Sequence, residues 1–362
     1  MTTDVRGSFL THQAYIEAIR HAIEILADAP PGASAIEWDP TAPKMNFTLA
    51  EGLAARVRSS NGYESLSTRT IPDTRRFIAN LRNAWTTEAL MYVTGKHLPA
   101  EGLGTATNWT VVQAYYAVYL VAKATAIAQG KTGPLNSHPL IQRFFIDFWA
   151  EGSRRDLAPW SVVWGIDGPR NLPTSVALEH PQHIWTTARR EACWARLTKA
   201  WETTRAGWLE DALREAREKK AKDRRRAWAQ ENDARVANHK QPRRRPPRAS
   251  ATLRPEEKAT VDRSVPAAGF LNYLYRLRIR SNYEDSAMWS EGPIGVEESL
   301  GVHWNLTTIT SATLLAHEVL LRRIVGNDDF DGIADDWLQK NQGLLGPLEG
   351  LGLRAQVLRG HR

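Results

Sequence analysis

The segment LYRLRIRSNYEDSAMW, residues 274–289, concentrates the side chains best suited to chemistry. If it is helical, Arg276, Arg280 and Tyr283 lie along one face, beside an apolar stripe. Guanidinium groups bind phosphate oxygens bidentately and stay charged at any physiological pH. The spacing therefore predicts a phosphate-facing helix. The competing interpretation is an ordinary ion pair between Arg280 and Glu284 one turn later, which contributes only about 0.2–0.5 kcal/mol.

Two other patterns contain metal-ligand residue types but do not predict a metal site. Residues 327–332, NDDFDG, match the start of a calcium loop, but its twelfth position is Leu338 instead of the bidentate glutamate. His180, His183 and Cys193 are acceptable zinc ligands, yet no second ligand pair follows at matching spacing. The chain also lacks a Walker A loop, a nucleophile elbow and an HExxH pair. We predict no metal and no cofactor.

Positive charge is concentrated in one segment. The net charge is +7, and residues 211–248 contain fourteen Lys or Arg against six Asp or Glu, so this segment carries +8 and the remainder about −1. Local basicity predicts a polyanionic partner, because each cation near a phosphate releases a condensed counterion. We therefore predict nucleic-acid binding, to RNA more than to DNA. The candidate binding residues are Lys219, Lys220, Lys222, Arg224, Arg225, Arg226, Arg243, Arg244, Arg245 and Arg248.

Helical periodicity dominates the rest of the chain. It predicts helices over 11–29, 72–95 and 108–129, and a shorter aromatic helix within 136–152. Residues 153–181 are rich in proline and glycine and predict irregular structure with a short strand or hairpin. The fold class we predict is all-α.

Three tryptophans, Trp194, Trp201 and Trp208, recur every seven residues and so share one helix face. This face must be covered, either by the body of the protein or by a partner helix. A homodimer or another protein bound through these tryptophans is the partner that the spacing suggests. The helix beyond them becomes charged nearly all round.

An apolar run from Trp109 to Ala128 is about as long as a membrane span, but Gln113 and Lys123 interrupt it. A nearly all-apolar helix is also what the centre of a helical bundle requires, so we predict a buried core helix and no membrane. A single cysteine, Cys193, excludes an internal disulfide framework, and no signal-peptide pattern is present. These features predict a cytoplasmic location.

Four segments together resemble the HEPN superfamily of helical bundles. They are NWTVVQAYYAVYLVAKATAIAQGK, NSHPLIQRFF, YLYRLRIRSNYEDSAMW and TITSATLLAHEVLLRR. The resemblance implies a bundle in two halves, residues 105–152 and 266–362, with an N-terminal helical region over 1–104. The Trp-lined helix and the basic arm would form an insertion over 153–265. It also implies a bacterial defence or toxin–antitoxin setting.

The ribonucleases of that superfamily carry an arginine followed after four to six residues by a histidine. The matching arginine in this sequence is Arg278, but the position five further on is Tyr283. Because tyrosine, with a pKa near 10, is a poor base at neutral pH, the catalytic motif is incomplete. His138 and His317 are the histidines that a bundle could bring near Arg278.

Three functions remain open from the sequence. The first is a HEPN-like RNA-binding protein without an intact catalytic motif. The second is a metal-independent endoribonuclease with a variant site, and the third is a protein-interaction scaffold that uses the tryptophan face. The candidate catalytic residues are Arg278, Arg280, Tyr283 and His317.

Overall fold

The computed structural model shows an all-α chain, which confirms the predicted fold class. The residues that the structure describes are 4–29, 45–131, 133, 135–173, 186–242, 245–247, 251–284 and 286–360.

The helices follow the chain in simple order, with a π-helical turn at Arg280–Glu284 between the ninth and tenth. They are α1 (Val5–Leu26), α2 (Phe47–Arg58), α3 (Asn61–Glu64), α4 (Thr74–His97), α5 (Ala100–Ala128), α6 (His138–Trp149), α7 (Thr187–Ala237), α8 (Pro255–Ser264), α9 (Phe270–Ile279), α10 (Ala287–Ser290), α11 (Val296–Val325), α12 (Asn327–Lys340) and α13 (Gly350–Arg359). The strands β1 (Val163–Gly165), β2 (Gly168–Arg170) and β3 (Ala268–Gly269) form a small sheet in the order β2-β1-β3.

Helix boundaries follow local chemistry. Asp4 and Asp73 begin α1 and α4 by accepting hydrogen bonds from backbone N–H groups of the first turn. Helix α5 begins at Ala100, after Pro99 at its N-cap position and eight residues before the predicted start at 108. The glycines at 102 and 104, which precede the predicted helix, lie inside its first two turns.

The chain forms two compact units. Unit 1 comprises Met1–Val163, Pro169–Trp201 and Gly269–Arg362, and unit 2 comprises Trp164–Gly168 and Glu202–Ala268. Unit 2 ends at Ala268, three residues beyond the predicted insertion of 153–265, and Pro169–Trp201 of that segment belongs to unit 1. The boundary between the units falls inside α7.

Unit 1 is built around the long helices α5 and α11, which pack on each other, while α4 and α9 pack on other faces of α5. Every side chain of α11 from Leu306 to Arg322 is buried. Helix α5 is long and apolar enough to cross a membrane, but 78% of its most apolar 18-residue stretch is buried inside the protein. Its apolar surface is therefore used within the bundle, as the sequence predicts.

A buried ionic cluster joins three helices of unit 1. Arg354 of α13 donates from Nε and Nη2 to the two carboxylate oxygens of Glu318 on α11, at 2.8 and 2.9 Å, and from Nη1 to Glu88 on α4. All three side chains are fully buried. Trp85 Nε1 and Ser311 Oγ donate to the same two carboxylates. Burial raises the pKa of Glu88, which favours its neutral form and leaves Arg354 balanced by Glu318.

Unit 2 is a smaller arrangement in which α8 packs on the second part of α7. The guanidinium of Arg205 forms an ion pair with Asp262 at 2.7 Å. About four turns further along α7, Lys220 pairs with Glu257 at 2.5 Å and donates to the carbonyl of Thr252. These polar contacts accompany a small apolar core that includes Leu253.

Replacing Arg354 with methionine should lower the free energy of unfolding by about 3–5 kcal/mol, because Glu318 then remains charged and buried without its partner. Glu88→Gln should cost much less, since glutamine mimics the neutral carboxyl. Urea denaturation of the two variants at pH 7 checks this. Equal losses would contradict the assignment of the charge balance to the Arg354–Glu318 pair.

Candidate functional site

Arg278 lies in the last turn of α9, among three tyrosine rings. Its Cζ atom is 5.0 Å from the ring centroid of Tyr116, 5.7 Å from Tyr115 and 5.8 Å from Tyr275. Tyr115 and Tyr116 belong to α5, and Tyr275 lies one turn before Arg278 on α9. The electron-rich faces of such rings attract a cation, which holds the guanidinium at this position.

His138, the first residue of α6, lies against the same rings. Its Nδ1 is 2.6 Å from the hydroxyl of Tyr115, and its ring centroid is 4.9 Å from Tyr119 and 5.4 Å from Tyr275. The sequence proposed His138 as one histidine that the bundle could bring near Arg278, and the structure brings both onto Tyr115, Tyr116 and Tyr275. We call Tyr115, Tyr116, Tyr119, His138, Tyr275 and Arg278 the tyrosine–arginine cluster.

The charge of Arg278 is not balanced by a neighbouring carboxylate. Among the residues that the structure describes, its guanidinium forms neither an ion pair nor a hydrogen bond, and its Nε is buried without an acceptor. A buried donor without a partner is costly in a folded protein. An anionic group that entered the cluster would supply the missing acceptor.

Burial, and then the charge of Arg278, lower the pKa of His138 below its ordinary value. The imidazole is therefore neutral at physiological pH and able to accept a proton. Burial raises the pKa of Tyr115, which keeps its hydroxyl protonated and a neutral hydrogen-bonding partner of the imidazole. The cluster thus combines a proton acceptor with a permanent cation, which is the pair that phosphodiester chemistry requires.

Tyr283 is placed in the π-helical turn and its side chain is 73% exposed. The turn begins at Arg280, two residues after Arg278, so the helix predicted over 274–289 is interrupted there. Single π-helical turns are rare and are frequent at functional sites. The structure leaves Tyr283 outside the ring contacts of the tyrosine–arginine cluster among the described residues.

Arg280 is directed toward α1. It donates from Nη1 to Nε2 of His12 at 2.5 Å and from Nη2 to Ser8 Oγ at 2.9 Å. Because arginine can only donate, His12 Nε2 is the acceptor and Nδ1 carries the proton, which faces the Tyr273 hydroxyl at 3.2 Å. Burial, followed by the charge of Arg280, lowers the pKa of His12 to about 3. These contacts favour a positioning role for Arg280, which fastens the π-helical turn to α1.

His317 is fully buried in the middle of α11. Its Nδ1 is 2.8 Å from Thr125 Oγ1, and Trp149 Nε1 donates to its Nε2. Burial lowers the pKa of His317 to about 3. Both ring nitrogens are therefore occupied inside the core, which favours a structural role over the catalytic role that the sequence allowed.

The basic residues of α7 differ in their surroundings. Lys220 is half-buried and committed to Glu257, whereas five of its neighbours are exposed and form no ion pair with any described residue. The five are Lys219, Lys222, Arg224, Arg225 and Arg226. Arg245 is exposed as well, and Arg243, Arg244 and Arg248 lie outside the described residues.

The tryptophan face does not form one continuous exposed surface. Trp201 is fully buried against the rings of Phe270 and Tyr273, while Trp194 and Trp208 are half-buried. Of the two forms of coverage that the sequence allowed, Trp201 therefore has coverage from the body of the protein. It is not available to a partner of the folded chain.

The acidic segment at 327–338 belongs to a continuous helix, α12, and its Asp331 pairs with Arg322 at 2.9 Å. The calcium-loop geometry is therefore not adopted. His180 and His183 lie outside the described residues, and burial raises the pKa of the Cys193 thiol to about 12. Cys193 donates to the carbonyl of Ala18, so it remains a thiol in the core.

Comparison of the chain with protein-family models, with curated proteins and with solved structures finds no match. The residues of the chain and their geometry are therefore the basis for inferring its function.

The aromatic residues around Arg278 are the part of the site that the sequence did not single out. Tyr115, Tyr116 and Tyr119 stand together in the segment YYAVY, a tyrosine density that is unusual for a helix core. The hydroxyl groups of these tyrosines could have indicated a polar site in the sequence, because a buried tyrosine needs a polar partner.

The buried histidines predict an acid-sensitive fold. Unfolded histidine titrates near 6.5, whereas His12 and His317 titrate at about 3 in the folded chain, so between these values only the unfolded chain takes up their protons. Their pKa values therefore predict that each lowers the free energy of unfolding by about 2 kcal/mol between pH 7 and pH 5. Glu88, with its raised pKa, acts in the opposite direction.

The decisive comparison is between wild type and His317→Gln, because Glu88 affects both equally. Urea denaturation at pH 7, 6 and 5 should show a change with pH that is smaller by about 2 kcal/mol in the variant. His97→Ala, which removes an exposed histidine, is the control. The same pH dependence in His317→Gln and wild type would contradict a neutral buried imidazole.

Proposed function

We propose that this protein binds RNA through the basic part of α7, as a HEPN-like cytoplasmic protein of a bacterial defence or toxin–antitoxin assembly. The observation that carries the proposal is the group of five exposed cations, Lys219, Lys222 and Arg224–Arg226, which form no ion pair with a described residue. Other basic residues of α7 do form ion pairs, Arg214 with Asp211 in the same helix and Lys220 with Glu257 of α8. Unpaired cations keep their full attraction for phosphate.

The setting within an assembly, and RNA as the preferred nucleic acid, are supported by the sequence resemblance to the HEPN superfamily. The half-buried Trp194 and Trp208 are the remaining candidates for contact with a second copy or a protein partner. The scaffold function is the weaker proposal, since its central residue, Trp201, is in the core.

Replacing Arg224, Arg225 and Arg226 with alanine should weaken RNA binding and flatten its salt dependence. Each phosphate contact that is lost reduces the slope of log K against log salt by about 1. Fluorescence anisotropy of a labelled RNA between 50 and 300 mM salt measures this slope.

The control for the triple variant is Arg75, Lys131 and Arg155 to alanine, which removes the same charge from exposed positions in unit 1. An equal effect of both triple variants would mean that net charge alone attracts RNA. A slope that stays at the wild-type value in the α7 variant would contradict the proposal.

The second candidate function is metal-independent RNA cleavage at the tyrosine–arginine cluster. The specific observation in its favour is the neutral His138 beside the unpaired Arg278. In this reaction the ribose 2′-oxygen attacks the adjacent phosphorus while its proton passes to the imidazole. Arg278 neutralises the non-bridging oxygens, the bond between phosphorus and the 5′-oxygen breaks, and the 5′-oxygen takes a proton from water, so that a 2′,3′-cyclic phosphate remains.

Cleavage of mixed RNA in the presence of a chelator tests the second function. Arg278→Ala and His138→Ala should each lower the rate at least about a hundredfold, as expected when an electrostatic or acid–base group is removed. His97→Ala, prepared in the same way, should cleave as wild type does. No cleavage by wild type, or equal cleavage by the variants, would exclude the enzyme.

A further inference from the structure

Unit 1 exposes two aromatic side chains of considerable size. Trp109 on α5 is 61% exposed and Tyr283 in the π-helical turn is 73% exposed, and among the described residues they are the aromatic members of the exposed large apolar side chains. Exposing an indole or a phenol ring to water costs free energy, and neither ring has an aromatic contact within the described residues. Their exposure therefore calls for an explanation.

Trp109 belongs to the outer face of α5. Residues seven apart on a helix are displaced by only about 20° around the axis, so Trp109, Tyr116 and Lys123 form one line about 21 Å long from 1.5 Å per residue. This line is the side of α5 that is not buried: Trp109 is exposed and Tyr116 and Lys123 are half-buried. Residues 102–128 contain no carboxylate, so the line carries no negative side chain of its own helix.

Two contacts connect this line to α9 and the π-helical turn. Ser281 Oγ donates to the carbonyl of Asn108 at 3.0 Å, which fixes the start of the turn beside Trp109. Tyr116 lies two helical turns after Trp109 on α5, and the Cζ atom of Arg278 is 5.0 Å from the centroid of its ring. We call Trp109, Tyr116, Arg278 and Tyr283 the aromatic edge of unit 1.

We propose that the aromatic edge binds single-stranded nucleic acid, with bases stacked on Trp109 and Tyr283 and a backbone phosphate on Arg278. Flat exposed rings accept any base, and every base in a single strand has a free face. The phosphate supplies the counter-ion that the guanidinium of Arg278 lacks among the described residues. A duplex cannot use these rings, because its bases are already stacked on one another.

This choice of ligand follows from the combination of groups. An apolar protein surface would cover Trp109 and Tyr283 but would leave the half-buried Arg278 without an anion among the described residues. A lone inorganic phosphate would pair with Arg278 but leave both rings in water. A single strand satisfies both needs, since each nucleotide brings one anion and one aromatic ring.

The proposal rests on nucleic acid as the ligand of the proposed function, but it assigns the single strand to residues of unit 1 and not to α7. The experiment measures binding of a fluorescein-labelled 20-nucleotide oligouridylate and of a duplex RNA of equal length, at one salt concentration. Trp109→Ala and Tyr283→Ala should each weaken binding of the oligouridylate about tenfold. Affinity for the duplex should change less than twofold.

Matched variants separate stacking from other causes. Trp109→Phe and Tyr283→Phe keep a ring and should retain most of the affinity. Leu90→Ala and Ile294→Ala remove exposed apolar side chains elsewhere in unit 1 and should bind as wild type does. Thermal unfolding of every variant checks that it is folded. Because Trp109 and Tyr283 are exposed, replacing them should leave the unfolding temperature close to that of wild type.

The outcomes distinguish this proposal from the proposed function of α7. If the Trp109→Ala/Tyr283→Ala double variant binds oligouridylate with wild-type affinity, the aromatic edge is not a binding site, whatever the α7 variant does. If the double variant loses affinity for oligouridylate while the α7 triple variant binds RNA as wild type does, the aromatic edge is supported as the binding site and the proposed role of α7 is wrong. If wild type binds neither RNA, both proposals are overturned.

Discussion

The interaction on which unit 1 most depends is the buried bond between Arg354 and Glu318. This pair places two opposite charges in the core, where both side chains are shielded from water, and Arg354 of α13 provides the cation. The guanidinium also reaches Glu88, so α4, α11 and α13 can assemble only in the arrangement that brings all three groups together. Helix α4 and helix α11 both pack on α5, which in turn carries the tyrosines that surround Arg278.

Histidine has two different roles in this chain. His12 and His317 are dry, neutral and bonded at both nitrogens, so they act as hydrogen-bonding core residues. His138 is half-buried, and its Nδ1 alone has a hydrogen-bond partner among the described residues. Among the described residues, Nε2 of His138 has no hydrogen-bond partner and can accept a proton, whereas both ring nitrogens of His12 and His317 are already bonded. The packing around each imidazole produces this difference.

The fold class could be predicted from the sequence because helical periodicity is local: α1, α4, α5 and α6 lie close to the predicted segments. The surroundings of Arg278 could not, since they depend on contacts between residues more than a hundred positions apart. The family motif in the sequence pairs Arg278 with Tyr283, five residues later. In the folded bundle, however, Arg278 lies beside Tyr116 and His138. Likewise, the tryptophan period indicated a covered face but not that Phe270 would cover Trp201.

The π-helical turn at Arg280–Glu284 holds one residue more than an α-helical turn would need. Losing a single residue there would restore regular α-helical winding, since the turn takes up its extra residue locally, and would move the side chains within the turn around the axis. Tyr283 would leave the outer edge, while Arg278, which precedes the turn, would keep its place. The segment can therefore act as a register element, in which chain length, independently of residue identity, selects the side chain that is presented beside the arginine.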